Sequence, residues 1–187
     1  MSRNWQNRTQ AFIAAVATVV ALGLTAPAEA QQIGILTVTG NVENTNREAF
    51  DENSDRLFGY NDVAFDKAIT FDAATLEKLP SRTVRAAYPM GGDLSTYEGP
   101  LLADVLKAAG AFGDKVTIQA LDGYTIEAPL AEMLEQGAIL AMKRNGEPFS
   151  IGDFGPTQII FPRAERTELK DMPDDRWVWA IFHIRVE

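Results

Sequence analysis

Hydrophobic residues recur along the chain with two periods, one typical of strands and one of helices. Short apolar or alternating runs that end at glycine, proline or an Asn/Asp turn predict strands. These predicted strands cover residues 35–40, 83–87, 115–121, 124–128, 138–142, 159–161 and 177–186. Apolar residues at helical spacing predict short helices at residues 73–79, 101–109 and 130–136. Because strands dominate and the helices are short, the pattern predicts an α+β fold or a mainly β fold, with mixed β-sheets.

The predicted strand at residues 177–186 alternates along its whole length. Its two faces carry different chemistry. One face would hold Val178, Ala180, Phe182, Ile184 and Val186, and the other Trp177, Trp179, Ile181, His183 and Arg185. A purely solvated face would not favour two tryptophans, and a plain core face would not favour histidine and arginine. The pattern therefore indicates a half-open aromatic wall, although a covering element would produce the same pattern. His183 itself is more typical of a hydrogen-bonded sheet residue than of a ligand or a base.

The polar stretch at residues 41–61 is rich in Asn, Asp and Glu, and its composition predicts a long loop.

At the N-terminus, Arg3 and Arg8 precede an apolar run at residues 11–24, and Ala28-Glu29-Ala30 follows. This order is typical of a cleaved signal peptide at residues 1–30, which predicts a periplasmic protein with one domain at residues 31–187. An uncleaved anchor is the alternative, but the run is shorter than the roughly 20 residues of a spanning helix.

Composition removes several classes of chemistry. The chain of 187 residues has no cysteine and one histidine, which excludes a disulfide framework, a cysteine-ligated metal site and a thiol nucleophile. Its net charge of −9 argues against nucleic acid as a partner, because nucleic acid needs a basic surface. No phosphate-binding glycine motif and no nucleophile elbow occurs, so no catalytic residues are predicted.

Four segments carry candidate ligand-binding residues. Asp122 and Tyr124 flank a glycine at a predicted turn, where the Asp either stabilises the turn or binds a ligand. Glycines on either side of Asp153-Phe154 permit close approach of a ligand to the backbone, although a plain loop has the same composition. The remaining candidates belong to two segments. Arg176 directly precedes the tryptophan-bearing strand, which carries Trp177 and Trp179. Arg85 lies on the predicted strand at residues 83–87, and Tyr88 and Met90 lie in the loop that follows it.

The order of five short segments resembles the molybdopterin-binding domain of sulfite-oxidase-type oxidoreductases. The segments are Tyr97-Glu98-Gly99-Pro100-Leu101-Leu102, Asp122-Gly123-Tyr124, Asn145-Gly146-Glu147, Gly155-Pro156 and the tryptophan-bearing strand. The resemblance covers roughly residues 83–187 and implies the sulfite-oxidase-like α+β fold. In the enzymes of this family, a cysteine in the loop that corresponds to residues 88–93 ligates molybdenum. This chain has no cysteine, and an arginine frequent after the Gly-Pro pair is Gln158 here.

A cysteine-free, exported subgroup, the PruR-like periplasmic pterin-binding regulators, is more similar. That resemblance implies a non-catalytic protein that binds a reduced or neopterin-like pterin without molybdenum. It also implies a protein partner, the periplasmic domain of a membrane diguanylate cyclase or phosphodiesterase, which makes or degrades cyclic di-GMP. A carboxylate of Asp122 or Asp153 would then bind the pyrimidine edge in a bidentate manner.

Two other interpretations stay open at the level of sequence. One is a molybdopterin-dependent oxidoreductase with a metal ligand other than cysteine. The other is an interaction module whose binding site is filled by its own side chains.

Overall fold

The computed structural model describes residues 33–88 and 91–187. The predicted signal peptide and Met90 lie outside the described residues. Eleven strands and four short helices occur in the described ranges. The strands are β1 Gly34–Gly40, β2 Ala68–Asp72, β3 Ser81–Ala86, β4 Ser95–Pro100, β5 Lys115–Ala120, β6 Thr125–Pro129, β7 Ile139–Ala141, β8 Lys143–Arg144, β9 Glu147–Pro148, β10 Gln158–Ile160 and β11 Ile181–Val186. The helices are α1 Arg56–Tyr60, α2 Ala73–Glu77, α3 Leu102–Ala108 and α4 Leu130–Glu135.

Three sheets carry these strands. A five-stranded sheet has the order β2-β1-β11-β5-β6, in which only β1 and β11 run parallel. An antiparallel four-stranded sheet has the order β3-β4-β8-β9, and β10 pairs with β7. The α+β class is confirmed, and the two tight turns predicted at residues 122–123 and 145–146 connect β5 to β6 and β8 to β9. The sequence pattern missed β2 and β4, because Thr, Ser and Glu interrupt their apolar positions.

The main core is formed by apolar residues from the sheets and helices. Its largest fully buried members include Tyr97, Phe161, Leu36, Leu76, Leu102, Ile118 and Met133. Local signals position the short helices against it. Asp72, for example, accepts a hydrogen bond from the Thr75 N–H at 2.6 Å and caps α2, as its position before an apolar helix predicts.

Residues 41–66 form a second layer on the outer face of the five-stranded sheet. The prediction of a plain loop over residues 41–61 is wrong, because α1 forms there and a small apolar cluster lies beneath it. The cluster consists of Phe58, Val63, Phe65, Ala68 and Phe182. The Arg47 guanidinium lies 5.0 Å from the Phe58 ring and 4.9 Å from the Phe65 ring, and it forms an ion pair with Asp55. The polar composition hid this cluster, because its three phenylalanines are too widely spaced to produce a helical or strand period.

A bulge in β11 changes which face its side chains occupy. Ile181 lies opposite Ala120 and His183 lies opposite Gln119, so Phe182 is the extra residue. Ile181 and Ile184 therefore belong to the main core, whereas Phe182 lies on the outer face. The sequence prediction that Phe182 shares a face with Ile184 is wrong for this reason.

His183 is buried in a hydrogen-bonded row on the outer face of the five-stranded sheet. Its Nε2 lies 2.8 Å from the Thr39 hydroxyl, and its Nδ1 lies 3.3 Å from Gln119 Oε1. Since an amide oxygen can only accept, the ring proton is on Nδ1 and Nε2 accepts from Thr39. Burial, together with the positive charge of Arg185, lowers the pKa of His183 from 6.5 to about 4.

The depressed pKa of His183 predicts a loss of stability at mildly acidic pH. The unfolded chain binds a proton as the pH falls below 6.5, whereas the folded chain resists protonation until about 4. The free energy of unfolding should therefore fall by about 2 kcal/mol between pH 7 and pH 5. Urea unfolding at both pH values measures this change. In the variant His183→Gln, the free energy of unfolding should change less between pH 7 and pH 5. An equally large change in this variant would contradict the assignment to His183.

No helix in the part of the chain that the structure describes is long and apolar enough to cross a membrane.

Candidate ligand site

Three aromatic side chains from separate loops meet at one place. The Tyr88 ring centroid lies 5.3 Å from that of Phe154, and the Phe154 centroid lies 6.2 Å from that of Trp179. Tyr88 follows β3, Phe154 precedes β10, and Trp179 precedes β11. The rings of Tyr88 and Phe154 are half-buried, and Trp179 is 36% exposed. These three residues, together with Arg144, are called the aromatic site below.

The backbone fixes the position of Phe154. Its carbonyl accepts a hydrogen bond from the Ala180 N–H at 3.0 Å, which joins its loop to the segment that carries Trp179. The Gly155 N–H donates to the Ser150 carbonyl at 3.0 Å. A Cβ at Gly155 would lie 2.6 Å from that carbonyl oxygen, so the tight turn requires glycine. Gly155 thus serves a packed turn, whereas a Cβ at Gly152 would meet no atom within 4 Å.

Arg144 supplies a cation to the aromatic site. Its guanidinium carbon lies 5.7 Å from the Phe154 ring centroid, and its Nε donates to the Ser95 hydroxyl at 3.3 Å. Across residues 33–88 and 91–187, no carboxylate forms an ion pair with Arg144. A half-buried guanidinium with unused donors can bind a carbonyl oxygen or an anion. No periodic pattern or motif in the sequence marks Arg144, although this residue directly precedes the Asn145-Gly146 turn.

Tyr97 lies next to Arg144 of the aromatic site. It is buried on β4, directly opposite Arg144 on β8, and its ring centroid is 6.5 Å from that of Phe149. Burial raises the pKa of Tyr97, Arg144 opposes the rise, and the nearby Tyr88 phenol adds to it. Burial and the Asp174 carboxylate also raise the pKa of Tyr88. Both phenols therefore keep their protons at neutral pH and can donate hydrogen bonds.

The two tryptophans do not share a strand face, so this part of the prediction is wrong. The extended strand begins only at Ile181, because Ala180 has a φ of 52° and a 3₁₀ turn spans Asp174–Arg176. Trp177 is buried in the main core, with its ring centroid 6.1 Å from that of Phe161 and 5.2 Å from the Arg163 guanidinium carbon. Trp179 alone lies at the aromatic site.

Asp122 and Tyr124 lie on the exposed β5–β6 turn. Asp122 Oδ1 accepts a hydrogen bond from the Tyr124 N–H at 2.9 Å, so one carboxylate oxygen stabilises the turn itself. The Tyr124 hydroxyl donates to the Asp175 carbonyl at 3.2 Å. This bond places Tyr124 against the segment that leads to Trp179.

The remaining predicted residues differ in whether their side chains are free to contact a ligand. Arg176 forms an ion pair with Glu132 at 2.8 Å, and hydrogen bonds from its guanidinium lower the pKa of that carboxyl. The Arg176 guanidinium is therefore engaged in an ion pair with α4. Arg85 has an exposed side chain on the outer strand β3, where its backbone N–H donates to Glu165. Asp153 is exposed beside Phe154.

A separate cavity lies elsewhere in the part of the chain that the structure describes. It has a volume of about 610 Å³ and lies at the ends of β1 and β11. Acidic Glu43, Asp66 and Glu187 line it, and its Arg185 already donates to the Ala64 carbonyl at 2.6 Å. The aromatic site differs from this cavity because it combines three neighbouring ring surfaces with a guanidinium that forms no ion pair.

Comparison with known proteins identifies the class of this domain. The family described as the oxidoreductase molybdopterin binding domain matches residues 62–167. Since this match spans more than half of the sequence, the chain belongs to that family.

One solved structure with the same fold is the sulfane dehydrogenase SoxCD from Paracoccus pantotrophus, with a TM-score of 0.55 and 17% identity. The similarity covers 81% of this chain but only 37% of that chain, and at this identity it shows the fold alone. No curated protein matches the chain.

The residues present fit only part of the family's cofactor. A molybdenum centre held by a protein thiolate does not fit, because the chain contains no cysteine. Among residues 33–88 and 91–187, no group of three or more His, Asp or Glu side chains could hold a metal ion. The organic ring system does fit, because Tyr88, Phe154 and Trp179 offer aromatic surface and Arg144 offers donors for a ring carbonyl.

Proposed function

We propose that this protein binds a pterin at the aromatic site without a cysteine-held molybdenum ion, and that it is not a catalyst. The observation that supports the proposal best is the meeting of three aromatic rings and an unpaired arginine in a cysteine-free member of a molybdopterin-binding family. Stacking of a flat heterocycle on such rings contributes on the order of 0.5–1.5 kcal/mol beyond the burial of apolar area.

Each polar edge of a pterin has a complementary group nearby. The Arg144 guanidinium can donate to the ring carbonyl, and the Tyr88 hydroxyl can donate to a ring nitrogen. The Asp153 carboxylate, next to Phe154, can accept two hydrogen bonds from the amino group and ring N–H of the pyrimidine edge. Asp153 is favoured over Asp122 for this role, because an oxygen of Asp122 already accepts the Tyr124 N–H.

The proposal extends to location and partner. The charged and apolar order of residues 1–30 supports export to the periplasm through a cleaved signal peptide. The resemblance to PruR-like regulators supports an action on the periplasmic domain of a membrane protein that makes or degrades cyclic di-GMP. In this proposal the protein reports pterin occupancy to that domain.

Fluorescence titration with a reduced pterin tests the binding step. Trp179 lies at the aromatic site, whereas Trp177 is buried in the core. Addition of tetrahydroneopterin under anaerobic conditions should quench tryptophan emission saturably at micromolar concentrations. Trp179→Phe should retain binding by calorimetry but lose most of the quenching, because it keeps an aromatic ring and removes the nearby reporter. Absence of saturable binding by both methods would contradict the proposal.

A further inference from the structure

Helix α1 presents an apolar pair to solvent in addition to its buried side. Phe58 faces the small cluster over the sheet, whereas Leu57 is 43% exposed and Tyr60 is 87% exposed. Residues three apart lie on the same face of a helix, so Leu57 and Tyr60 are neighbours. Asn61, at the end of α1, lies beside the β5–β6 turn, since a Cβ at Gly123 would be 3.7 Å from its Oδ1. That turn carries Tyr124, which is 46% exposed.

This surface is held rigidly. Arg47 stacks on Phe58 and Phe65 and pairs with Asp55, which directly precedes α1. The Phe58 and Phe65 rings pack edge to face with their centroids 5.3 Å apart. A preorganised surface loses little conformational entropy when it binds, so these contacts favour recognition.

The same segment is strongly acidic. Residues 41–66 contain seven acidic side chains and two basic ones, and one of those basic residues, Arg47, is already paired with Asp55. A cavity of about 430 Å³ next to Asp55, the residue before α1, is lined by Arg47 and by the acidic Glu48, Asp51 and Asp55. Its three carboxylates outnumber the single guanidinium, which pairs with Asp55. The cavity is large enough to accept a lysine or arginine side chain. The negative charge opposes an anionic membrane surface and a second copy of this segment.

We propose that Leu57, Tyr60 and the acidic cavity at the start of α1 form the docking surface for a basic protein domain. The partner would cover the apolar pair with its own apolar residues and place a Lys or Arg side chain in the cavity. Electrostatic complementarity of this kind accelerates association and selects the partner. This inference rests on the proposed function in one respect, namely that a protein partner exists. It adds that the partner has a basic surface.

Photocrosslinking in the native host tests the position and chemistry of this surface. Full-length protein would carry benzoylphenylalanine at Tyr60, at Leu57 or, as a control, at Phe112, which is 57% exposed outside residues 41–66. Positions 57 and 60 should crosslink to the same exported protein domain, with a basic surface, and position 112 should not. An equal crosslink from position 112, an acidic captured domain, a dimer of this chain or no crosslink at all would overturn the proposal.

Direct binding of the captured domain completes the test. Tyr60→Ser should weaken binding at least tenfold, and Phe112→Ser should leave it unchanged. The double variant Glu48→Lys and Glu52→Lys should weaken binding at least tenfold at low salt. The control is the double variant Glu135→Lys and Glu147→Lys, which changes the net charge by the same amount elsewhere on the protein. Its affinity for the captured domain should be nearly unchanged. Equal losses of affinity in the two double variants would overturn the proposal. Tetrahydroneopterin titration of Tyr60→Ser separates the two proposals, because pterin binding should be intact whether or not docking is lost.

Discussion

Replacement of Phe154 by alanine is expected to weaken pterin binding about 10- to 100-fold. Phe154 is the central ring of the aromatic site, since it contacts Tyr88, Trp179 and the Arg144 guanidinium. Its removal would delete the stacking surface and leave Arg144 without its ring support. The expected loss combines stacking with lost apolar burial, about 1.5–3 kcal/mol in total. Calorimetry with tetrahydroneopterin at pH 7 measures it.

A matched control separates local from general effects of this substitution. Phe112→Ala removes a phenylalanine that is 57% exposed and distant in sequence from the aromatic site. Its pterin affinity should equal that of the unmodified protein. If Phe154→Ala keeps full affinity while its circular dichroism shows an intact fold, the ligand does not bind at the aromatic site.

Gly99→Ala is expected to destabilise the protein by about 3 kcal/mol or more, or to prevent folding. A Cβ at Gly99 would lie 2.0 Å from the Leu140 carbonyl oxygen and 2.9 Å from the Ala141 Cα. Both neighbours are backbone atoms of β7, which cannot move without breaking the pairing of β7 with β10. Urea unfolding followed by circular dichroism measures the change.

Gly59→Ala provides the contrast for this prediction. Gly59 lies in α1, and a Cβ there would be 3.5 Å from Phe50, which is ordinary van der Waals contact. Since alanine favours helix more than glycine does, this variant should be as stable as the unmodified protein or slightly more stable. Equal stability of the Gly59 and Gly99 variants would contradict the close packing of β4 against β7.

Local sequence signals predicted the elements whose boundaries depend on a few neighbouring residues. The Asp72 cap, the turns at residues 122–123 and 145–146 and the helix after Pro100 follow from short-range chemistry, and the structure contains each of them. Gly99 also shows why part of the Tyr97-Glu98-Gly99-Pro100 motif supports a resemblance. The glycine is required because β7 approaches β4 too closely for any side chain.

Long-range contacts set the features that the sequence did not predict. The strand at residues 177–186 begins late because the Ala180 N–H pairs with the carbonyl of Phe154, which is 26 residues earlier in the chain. This pairing separates Trp177, in the core, from Trp179, at the surface. Arg144 was missed because its role depends on the position of the Phe154 ring, which periodicity does not reveal.

The candidate residues thus divide according to their contacts. Tyr88, Phe154 and Trp179 meet at one place, and Tyr124 adjoins the segment that holds Trp179. Arg176 is directed to Glu132 instead, and Trp177 packs on Phe161. The assignment of the first group to pterin binding stays a prediction that the variants above address.

Analysis of the protein as it is produced tests the central claim most directly. The chain would be purified anaerobically from the periplasm of a host that makes both molybdenum cofactor and reduced pterins. Molybdenum would be measured by mass spectrometry and released pterin by fluorescence after oxidation. The proposed function predicts near-stoichiometric pterin with only trace molybdenum, and molybdenum equimolar with the protein would contradict it.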